Sequence, residues 1–451
     1  MPFPSNLRTQ FKQHLVLALP IMISQLSHMS VAVADNVMVG RLGAFPLAAC
    51  ALANSALWPF FGLGMGISYA LTPLVAAADA SKHYKKATNV LKHSLVINLV
   101  FAAFFSTALM LATPVLHCIS QTPTVSTLAA PYLRLLALSL IPFMLFQTFR
   151  EYTEALSFTR EAMYIDIGCS LVNVLLNYVL IYGKLGFPAM GLLGAGWATL
   201  VSRILMALVM VSYVLGAPKL RKRIVGLNCK GFLGPYFAKI IRIGLPTGLE
   251  FALDGIAYTA TMVMVGWIGV TAQAAHTVAA NLTTISMVAI WGIALATTIR
   301  VGNQWGLRNF VALRTAGFVG FALGGILALV AAGIFLGGRH VLPGLYTAES
   351  EVLSIASVLL IVVGIQQLSD SADGIGVCAL RGIEDTTMPF IITVLSRWLL
   401  GVPLAYILCF SLAWGVKGLW WGLFVGKLIS ALAMLWRFDR KSRRLLGKLK
   451  T

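Results

Sequence analysis

The stretch IVVGIQQLSDSADGIGVCAL, residues 361–380, is mostly apolar, yet it carries two carboxylates three residues apart in its middle. A helix of about 20 apolar residues crosses the hydrocarbon core of a bilayer, which is about 30 Å thick. Asp370 and Asp373 would be costly there, because a charge at mid-bilayer costs at least about 2.5–3.5 kcal/mol. The stretch therefore predicts a membrane helix whose acids face a cavity, pair with a cation or hold protons.

The composition of the whole chain fits the same class of protein. Of its 451 residues, 59% are hydrophobic and 11% are charged, whereas soluble proteins carry about 25% charged residues. Twelve apolar runs are long enough to span a membrane, at about residues 14–40, 48–76, 92–115, 127–149, 162–183, 190–216, 240–267, 274–299, 314–337, 352–380, 387–410 and 415–437. The sequence therefore predicts an all-α polytopic membrane protein with twelve transmembrane helices.

The basic residues predict how the chain is oriented. The net charge is +19, and most of the 34 Lys and Arg fall at the two termini and in the even-numbered connections. The odd-numbered connections hold only four, namely Arg41, Lys184, Arg339 and Lys417. The positive-inside rule then places both termini in the cytoplasm, and the basic excess indicates contact with anionic lipid rather than with nucleic acid. The six Cys show no spacing typical of a structural metal site or of a disulfide framework.

The two halves of the chain match each other. At an offset of 226, Met38-Val39-Gly40 falls on Met264-Val265-Gly266 and Gly43 falls on Gly269. At an offset of 224, the second part of each half matches, including the pairs Gly191/Gly415, Gly194/Gly418, Trp197/Trp421 and Arg203/Lys427. Six helices in each half are an even number, so both halves enter the membrane from the same side. The pattern predicts two pseudo-symmetric six-helix bundles related as a parallel repeat, which is typical of transporters.

This repeat divides the chain into three parts. We expect an N-lobe at residues 1–217, a basic cytoplasmic linker at 218–240 that contains KLRKR at 219–223, and a C-lobe with a basic tail at 241–451.

Four of the carboxylates deep in apolar runs belong to the second half. Glu250 and Asp254 are four residues apart in helix 7, and Asp370 and Asp373 are three apart in helix 10, so each pair shares a helix face. If both faces look inward, four acids lie at similar depth. Carboxylates in such a cluster cannot all be ionised, so the cluster can bind a proton, a sodium ion or an organic cation. A purely structural role for these acids remains the alternative.

The first half offers a smaller polar set. Asp35 follows His28 by two helical turns, and Asn173 and Asn177 are one turn apart in helix 5. The amides can assist cation or proton binding at Asp35, or they can hold helices together by hydrogen bonds. His28 can carry a proton or can be a structural core histidine.

Arg397 is a cation inside the apolar run of helix 11. A buried guanidinium needs an acid partner. Asp373 or Asp370, on the preceding helix, is the expected partner.

Four stretches resemble the multidrug and toxic compound extrusion (MATE) family, and its bacterial NorM-like branch in particular. They are ADNVMVGRLGAFPLAA at 34–49, LVNVLLNYVLIYGKLGFPAMGLLGAGWAT at 171–199, TTIRVGNQWG at 297–306 and LSDSADGIGVCALRGIEDT at 368–386. The resemblance places Asp35 on the family's functional aspartate and Asp370 on its cation-binding aspartate. It implies two bundles of six helices around a central cavity. It also implies export of cationic or amphiphilic compounds in exchange for sodium ions or protons.

The sequence departs from that branch at three positions. Asp254 stands where the family has glutamate, with Glu250 as an additional acid one turn earlier. Asp373 replaces glutamine and Arg397 replaces tyrosine. A sodium ion at Asp254 and Asp370 would compete with the nearby guanidinium, so these changes favour proton coupling over sodium coupling.

The sequence thus predicts a secondary active exporter, driven by proton or sodium antiport, in a bacterial cytoplasmic membrane. We expect no cofactor, no enzyme activity and no obligate protein partner. The alternative transporter is a flippase for lipid-linked precursors, but its cavity would be lined by Arg and Lys rather than by acids. An intramembrane prenyltransferase-like enzyme is disfavoured, because the DSAD motif at 370–373 occurs once and inside a helix, whereas such enzymes need two motifs at a helix mouth.

Overall fold

The computed structural model describes residues 7–116, 123–225 and 231–447. Twelve helices in these residues are long and apolar enough to cross a membrane, which confirms the predicted number. We label them α1 (Arg8–Gly40), α2 (Ala44–Ala80), α3 (Tyr84–Leu111), α4 (Pro123–Ala155), α5 (Thr159–Tyr182), α6 (Leu192–Gly216), α7 (Gly234–Gly266), α8 (Val270–Gly306), α9 (Phe310–Gly337), α10 (Ser350–Gly382), α11 (Thr387–Ser411) and α12 (Gly415–Gly447).

Several helices extend beyond the apolar runs. α4 continues to Ala155, so Arg150 lies inside the helix and is buried there. Arg300 and Arg381 are likewise buried in the last turns of α8 and α10. These three cations were counted among the basic residues of the even-numbered connections, and the structure shows that each one lies inside a helix and is enclosed by packed helices. α7 begins at Gly234, inside the predicted linker, and linker residues 226–230 lie outside the described residues.

The chain forms two compact units, one of Ile23–Ala252 and the other of Met1–Met22 with Leu253–Thr451. In the first unit α4 packs against α2, α3 and α6, and α5 packs on α6. In the second unit α10 packs against α8, α9 and α12, and α11 packs on α12. α4 and α10 are therefore the central helices of their units, and polar residues on them are shielded on several sides.

The first part of α1 belongs to the same unit as α8. Arg300 of α8 donates a hydrogen bond to the backbone oxygen of Gln10 at 2.5 Å, and His14 lies 3.0 Å from the hydroxyl of Thr297. Met22 packs so closely on Gly292 that a Cβ there would lie 2.2 Å from the Met22 Cγ. The unit boundary falls within α1, and the corresponding boundary in α7 falls after Ala252.

The backbone repeats the internal match of the sequence. Gly43 and Gly269, 226 residues apart, precede α2 and α8 with φ of 117° and 139°, which favour glycine. The non-glycine residues with positive φ in the described residues also form three pairs at equivalent turns, namely Lys82/Arg308, Ser157/Glu384 and Leu185/Ala413. The repeat detected in the sequence is thus a repeat of the fold.

Candidate functional site

Arg397 joins two of the predicted acids in the second half. It lies in a π-helical segment of α11, Val394–Gly401, where the turns are wider than in an α-helix. Its Nη1 donates to Asp254 on α7 and its Nη2 donates to Asp373 on α10. Asp373 also accepts from the hydroxyl of Ser430 at 2.5 Å. The expected pairing of Arg397 with Asp373 is confirmed, and Asp254 is its second partner.

Asp370 is neutralised by a different cation. Lys427 of α12 donates from its Nζ to Asp370 Oδ1 at 2.5 Å, and the amide of Gln366 donates to Oδ2 at 3.2 Å. In the sequence, Lys427 was noticeable only as the repeat partner of Arg203. That match was the signal that could have identified Lys427 as a site residue, because both halves have a basic residue inside an apolar helix at this position.

We call Asp254, Asp370, Asp373, Arg397 and Lys427 the C-half cluster. Its three carboxylates and two cations sum to a charge of −1 when all are ionised. The Asp370 side chain is completely buried, whereas 41% of the Asp254 side chain and 27% of the Lys427 side chain are exposed. The cluster is therefore open at Asp254 and closed at Asp370.

Glu250 lies one turn before Asp254 on α7 and is buried. It falls in the unit Ile23–Ala252, whereas Asp254 falls in the other unit. The gathering of all four acids at one site stays a prediction.

Asp35 lies in a polar group of the first half. Asn177 on α5 donates a hydrogen bond to Asp35 Oδ1, and its Nδ2 is also 3.2 Å from Asn173 Oδ1. Asn173 in turn donates to the hydroxyl of Ser202 on α6 at 3.2 Å. The structure thus brings Asp35, Asn173 and Asn177 together in one chain of hydrogen bonds, which we call the Asp35 site.

Asp35 differs from the acids of the C-half cluster in its partners. Among the described residues no Lys, Arg or His nitrogen lies within ion-pair distance of it, and its hydrogen bond comes from a neutral amide. Arg203 acts on it only at longer range, because its guanidinium donates to Ser139 at 2.7 Å and stacks on the ring of Phe143. The equivalent residue of the second half, Lys427, bonds its aspartate directly.

His28 has neighbours of its own, which differ from the partners of Asp35. Its Nε2 lies 3.6 Å from Asp166 Oδ2 on α5 and 3.5 Å from Arg150 Nη1 on α4. Neither Asp166 nor Arg150 was identified as a site residue from the sequence. The spacing of Arg150 and Glu154, four residues apart on one helix face, was the signal that could have shown a buried ion pair.

A metal site is not evident in the parts of the chain that the structure describes, where no three His, Cys, Asp or Glu side chains gather in a way that could hold a metal ion. The Asp254 and Asp370 oxygens that could serve sodium are bonded to Arg397 and Lys427.

Known proteins are similar to this chain in sequence and in fold. The MatE family model matches residues 20–179 and 246–407, one match in each half. The chain is 30% identical over 442 residues to a probable multidrug resistance protein NorM of Rhizobium meliloti (strain 1021), covering 97% of this chain and 95% of that protein. It is also 30% identical to a multidrug resistance protein NorM of Burkholderia vietnamiensis, covering 96% and 94%. Among solved structures, a MATE protein in the bent conformation aligns with a TM-score of 0.90 at 22% identity over 98% of this chain and 97% of that one.

The chain belongs to the MATE family of ion-coupled multidrug efflux antiporters. This confirms the resemblance seen in the sequence, the fold of two six-helix bundles and the class of secondary active exporter. Family membership also supports transport over the enzyme and flippase alternatives.

Proposed function

We propose that this transporter exports organic cations in exchange for protons, with Asp35 carrying the coupling proton and the C-half cluster receiving the substrate. The observation that carries the proposal is the contrast between the two sites. Asp35 is hydrogen-bonded by a neutral amide, whereas every carboxylate of the C-half cluster is bonded to Arg397 or Lys427. A carboxylate without a fixed cation is the one that can gain and lose a proton during each cycle.

The same contacts argue against sodium as the coupling ion. Hard cations bind several oxygen ligands at once. At Asp254 and Asp370, a sodium ion would have to displace Arg397 from Asp254 and Lys427 from Asp370, and Lys427 would lose the carboxylate that offsets its charge in a largely buried site.

The substrate class follows from the geometry of Asp254. Its side chain is 41% exposed, and among the described residues its one charged partner is Arg397, which also bonds Asp373. An organic cation that takes over Asp254 would leave Arg397 bonded to Asp373. The exchange costs little, since one cation replaces another at the carboxylate. The multidrug resistance names of the NorM relatives agree with a broad range of such substrates.

Coupling requires that proton and substrate favour different states of the transporter. Proton binding at Asp35 and cation binding at Asp254 need only differ in affinity between the inward-facing and outward-facing states. We expect the transporter to change between these two states by movement of the N-lobe at residues 1–217 and the C-lobe at residues 241–451. The linker at residues 218–240 joins the two lobes. The basic termini and the bacterial relatives support a bacterial cytoplasmic membrane with both termini in the cytoplasm.

Efflux from proteoliposomes, with proton and sodium gradients imposed separately, tests the proposal. Asp35→Asn should lose proton-driven efflux at least tenfold but still bind an organic cation, because asparagine keeps a hydrogen-bond acceptor for Asn177. Asp370→Asn should lose efflux because Lys427 then remains as an unpaired cation beside the substrate. Glu351→Gln, at an exposed position of α10, is the control and should behave like the parent.

Each outcome has a definite meaning. Full proton-driven efflux by a folded Asp35→Asn protein would refute proton coupling at Asp35. Efflux by the parent protein that follows only the sodium gradient would refute proton coupling altogether.

A further inference from the structure

Charged side chains that the proposed mechanism does not use are buried in the first half of the chain. Arg150 Nε on α4 lies 2.8 Å from Glu154 Oε1 and 3.4 Å from Asp166 Oδ2 on α5. Ser24 of α1 donates its hydroxyl to the same Asp166 oxygen, and His28 of α1 lies beside it. We call Ser24, His28, Arg150, Glu154 and Asp166 the Arg150 cluster.

The charges of this cluster do not balance. Glu154 and Asp166 supply two carboxylates against the one guanidinium of Arg150, and all three residues are at most 2% exposed. One cation does not offset two buried carboxylates, and the desolvation of each buried charge must be offset by an opposite charge. The cluster therefore has room for at least one proton.

His28 is the member of the cluster that reaches the surface. Its side chain is 32% exposed, while that of Asp166 is fully buried. Asp166 Oδ1 has no hydrogen-bond partner among the described residues. The groups that face the imidazole are Asp166 from α5, Arg150 from α4, with Glu154 behind Arg150, and Ser24 from its own helix. A proton on His28 thus adds a positive charge where negative charge is in excess.

The Arg150 cluster lies on α1, α4 and α5, and two of these helices, α1 and α5, also carry Asp35 and its asparagines. His28 precedes Asp35 by seven residues on α1, which is two turns and about 10 Å along the helix axis on the same face. Asp166 precedes Asn177 by eleven residues on α5, about 16 Å along that axis. α1 and α5 are therefore linked at two levels, by Asn177 and Asp35 at one and by Asp166 and His28 at the other.

We propose that His28 and Asp166 form a second proton-binding site, which passes the coupling proton between Asp35 and the membrane side at which α1 begins. The inference rests on proton coupling at Asp35. The proton leaves the Asp35 carboxyl group, crosses the distance of about 10 Å through intervening water and binds the His28 imidazole, which becomes an imidazolium paired with Asp166. Release of that proton to solvent restores neutral His28 and leaves Arg150 as the counter-ion of Asp166.

His28→Gln tests the proposal, because glutamine keeps a polar side chain at this position but cannot bind the proton. We expect proton-driven efflux from proteoliposomes to fall at least tenfold and to lose its pH dependence between about pH 5 and 8, the range in which histidine changes charge. Binding of the organic cation to the detergent-solubilised variant should stay within twofold of the parent value. His340→Gln, at an exposed position between α9 and α10, is the matched control and should change neither quantity.

Histidine NMR supplies a second readout that a purely structural role would not give. The chain has only seven His, so the His28 signal can be assigned as the one lost in His28→Gln. We expect this signal to change when His28 gains or loses the proton, and to respond to Asp35→Asn. A His28 signal that does not titrate, or His28→Gln efflux with the parental rate and pH profile, would overturn the proposal.

The two proposals fail in different ways. Loss of proton-driven efflux in Asp35→Asn together with unchanged efflux in His28→Gln would leave coupling at Asp35 intact and remove only the second site. Unchanged proton-driven efflux in Asp35→Asn would remove the proposed coupling itself.

Discussion

At the scale of single residues, the two halves place a basic residue at the same repeat position but use it differently. Lys427 bonds Asp370 directly, whereas the guanidinium of Arg203 is held by Ser139 and by the Phe143 ring. The second half also has Arg397, and the residue at the matching position of the first half is Asn173. The acids of the C-half cluster are therefore paired with cationic side chains, whereas Asp35 in the first half is bonded by a neutral amide.

Arg397→Tyr is the substitution that tests this difference. Removal of the guanidinium frees the oxygens of Asp254 and Asp373, so we expect sodium to bind there. The melting temperature of the purified variant should rise with NaCl relative to KCl at equal ionic strength, because a ligand that binds only the native state stabilises it. A sodium gradient should then drive efflux in proteoliposomes.

Arg397→Lys is the matched control, because it keeps a positive charge between the two carboxylates. It should remain indifferent to sodium. If Arg397→Tyr shows the same ion preference as the parent, the guanidinium is not what excludes sodium.

At the scale of helices, glycines allow pairs of helices to cross at short distance. Gly66 on α2 meets Gly248 on α7, and a Cβ on Gly66 would lie 2.2 Å from the Gly248 Cα. The repeat-equivalent positions in the other unit are Gly292 and Met22, which also touch. Small residues let membrane helices approach closely, and a close contact at a glycine occurs at this position in both halves.

Gly66→Ala should therefore destabilise the protein. The added methyl group meets backbone atoms that cannot rotate away, and overpacking of this kind costs about 1–3 kcal/mol. We expect a melting temperature lower by several degrees and reduced efflux, measured by thermal unfolding in detergent and by transport in proteoliposomes. Gly168→Ala on α5 is the control, since a Cβ there has no neighbour within 4 Å. Equal melting temperatures of the two variants would contradict the close crossing.

α4 and α10 explain where sequence analysis of the site succeeded and where it failed. Asp370 and Asp373 stood out because acids are rare within an apolar run. Arg150 and Glu154 did not, because they lie near the end of α4, where charges normally reach water. They are buried because α4 is surrounded by α2, α3 and α6, and this depends on packing rather than on position along the helix.

At the scale of the whole molecule, the charge distribution predicts the orientation in the membrane. Lys184, between α5 and α6, belongs to a connection poor in basic residues, whereas Lys86, at the start of α3, belongs to a rich one. Both side chains are exposed. The positive-inside rule places Lys86 in the cytoplasm and Lys184 outside it.

Cysteine labelling in intact cells tests this orientation. In a background without native cysteines, Lys184→Cys should react with a membrane-impermeant maleimide, and Lys86→Cys should react only after the membrane is permeabilised. Labelling of both after permeabilisation controls for expression and exposure. The opposite pattern would reverse the predicted orientation and with it the direction of transport.

The sequence by itself determined the twelve helices and the repeat of six, and it drew attention to the acids inside apolar runs. Hydropathy and internal similarity are properties of consecutive residues, and the cost of a charge in a bilayer singles out Asp35, Asp370 and Asp373 without knowledge of any contact. The resemblance carried by the short motifs then pointed to the family that the full comparison confirmed.

Only the tertiary structure decided most of the pairings between cations and acids. Lys427 is 57 residues from Asp370, and Ser24 is 142 residues from Asp166. Such pairs form because helices distant in the chain pack side by side with particular faces together. No spacing along a single helix specifies the rotation of its neighbour, so the bond of Lys427 to Asp370, the second partner of Arg397 and the buried partners of His28 could be seen only in the packed helices.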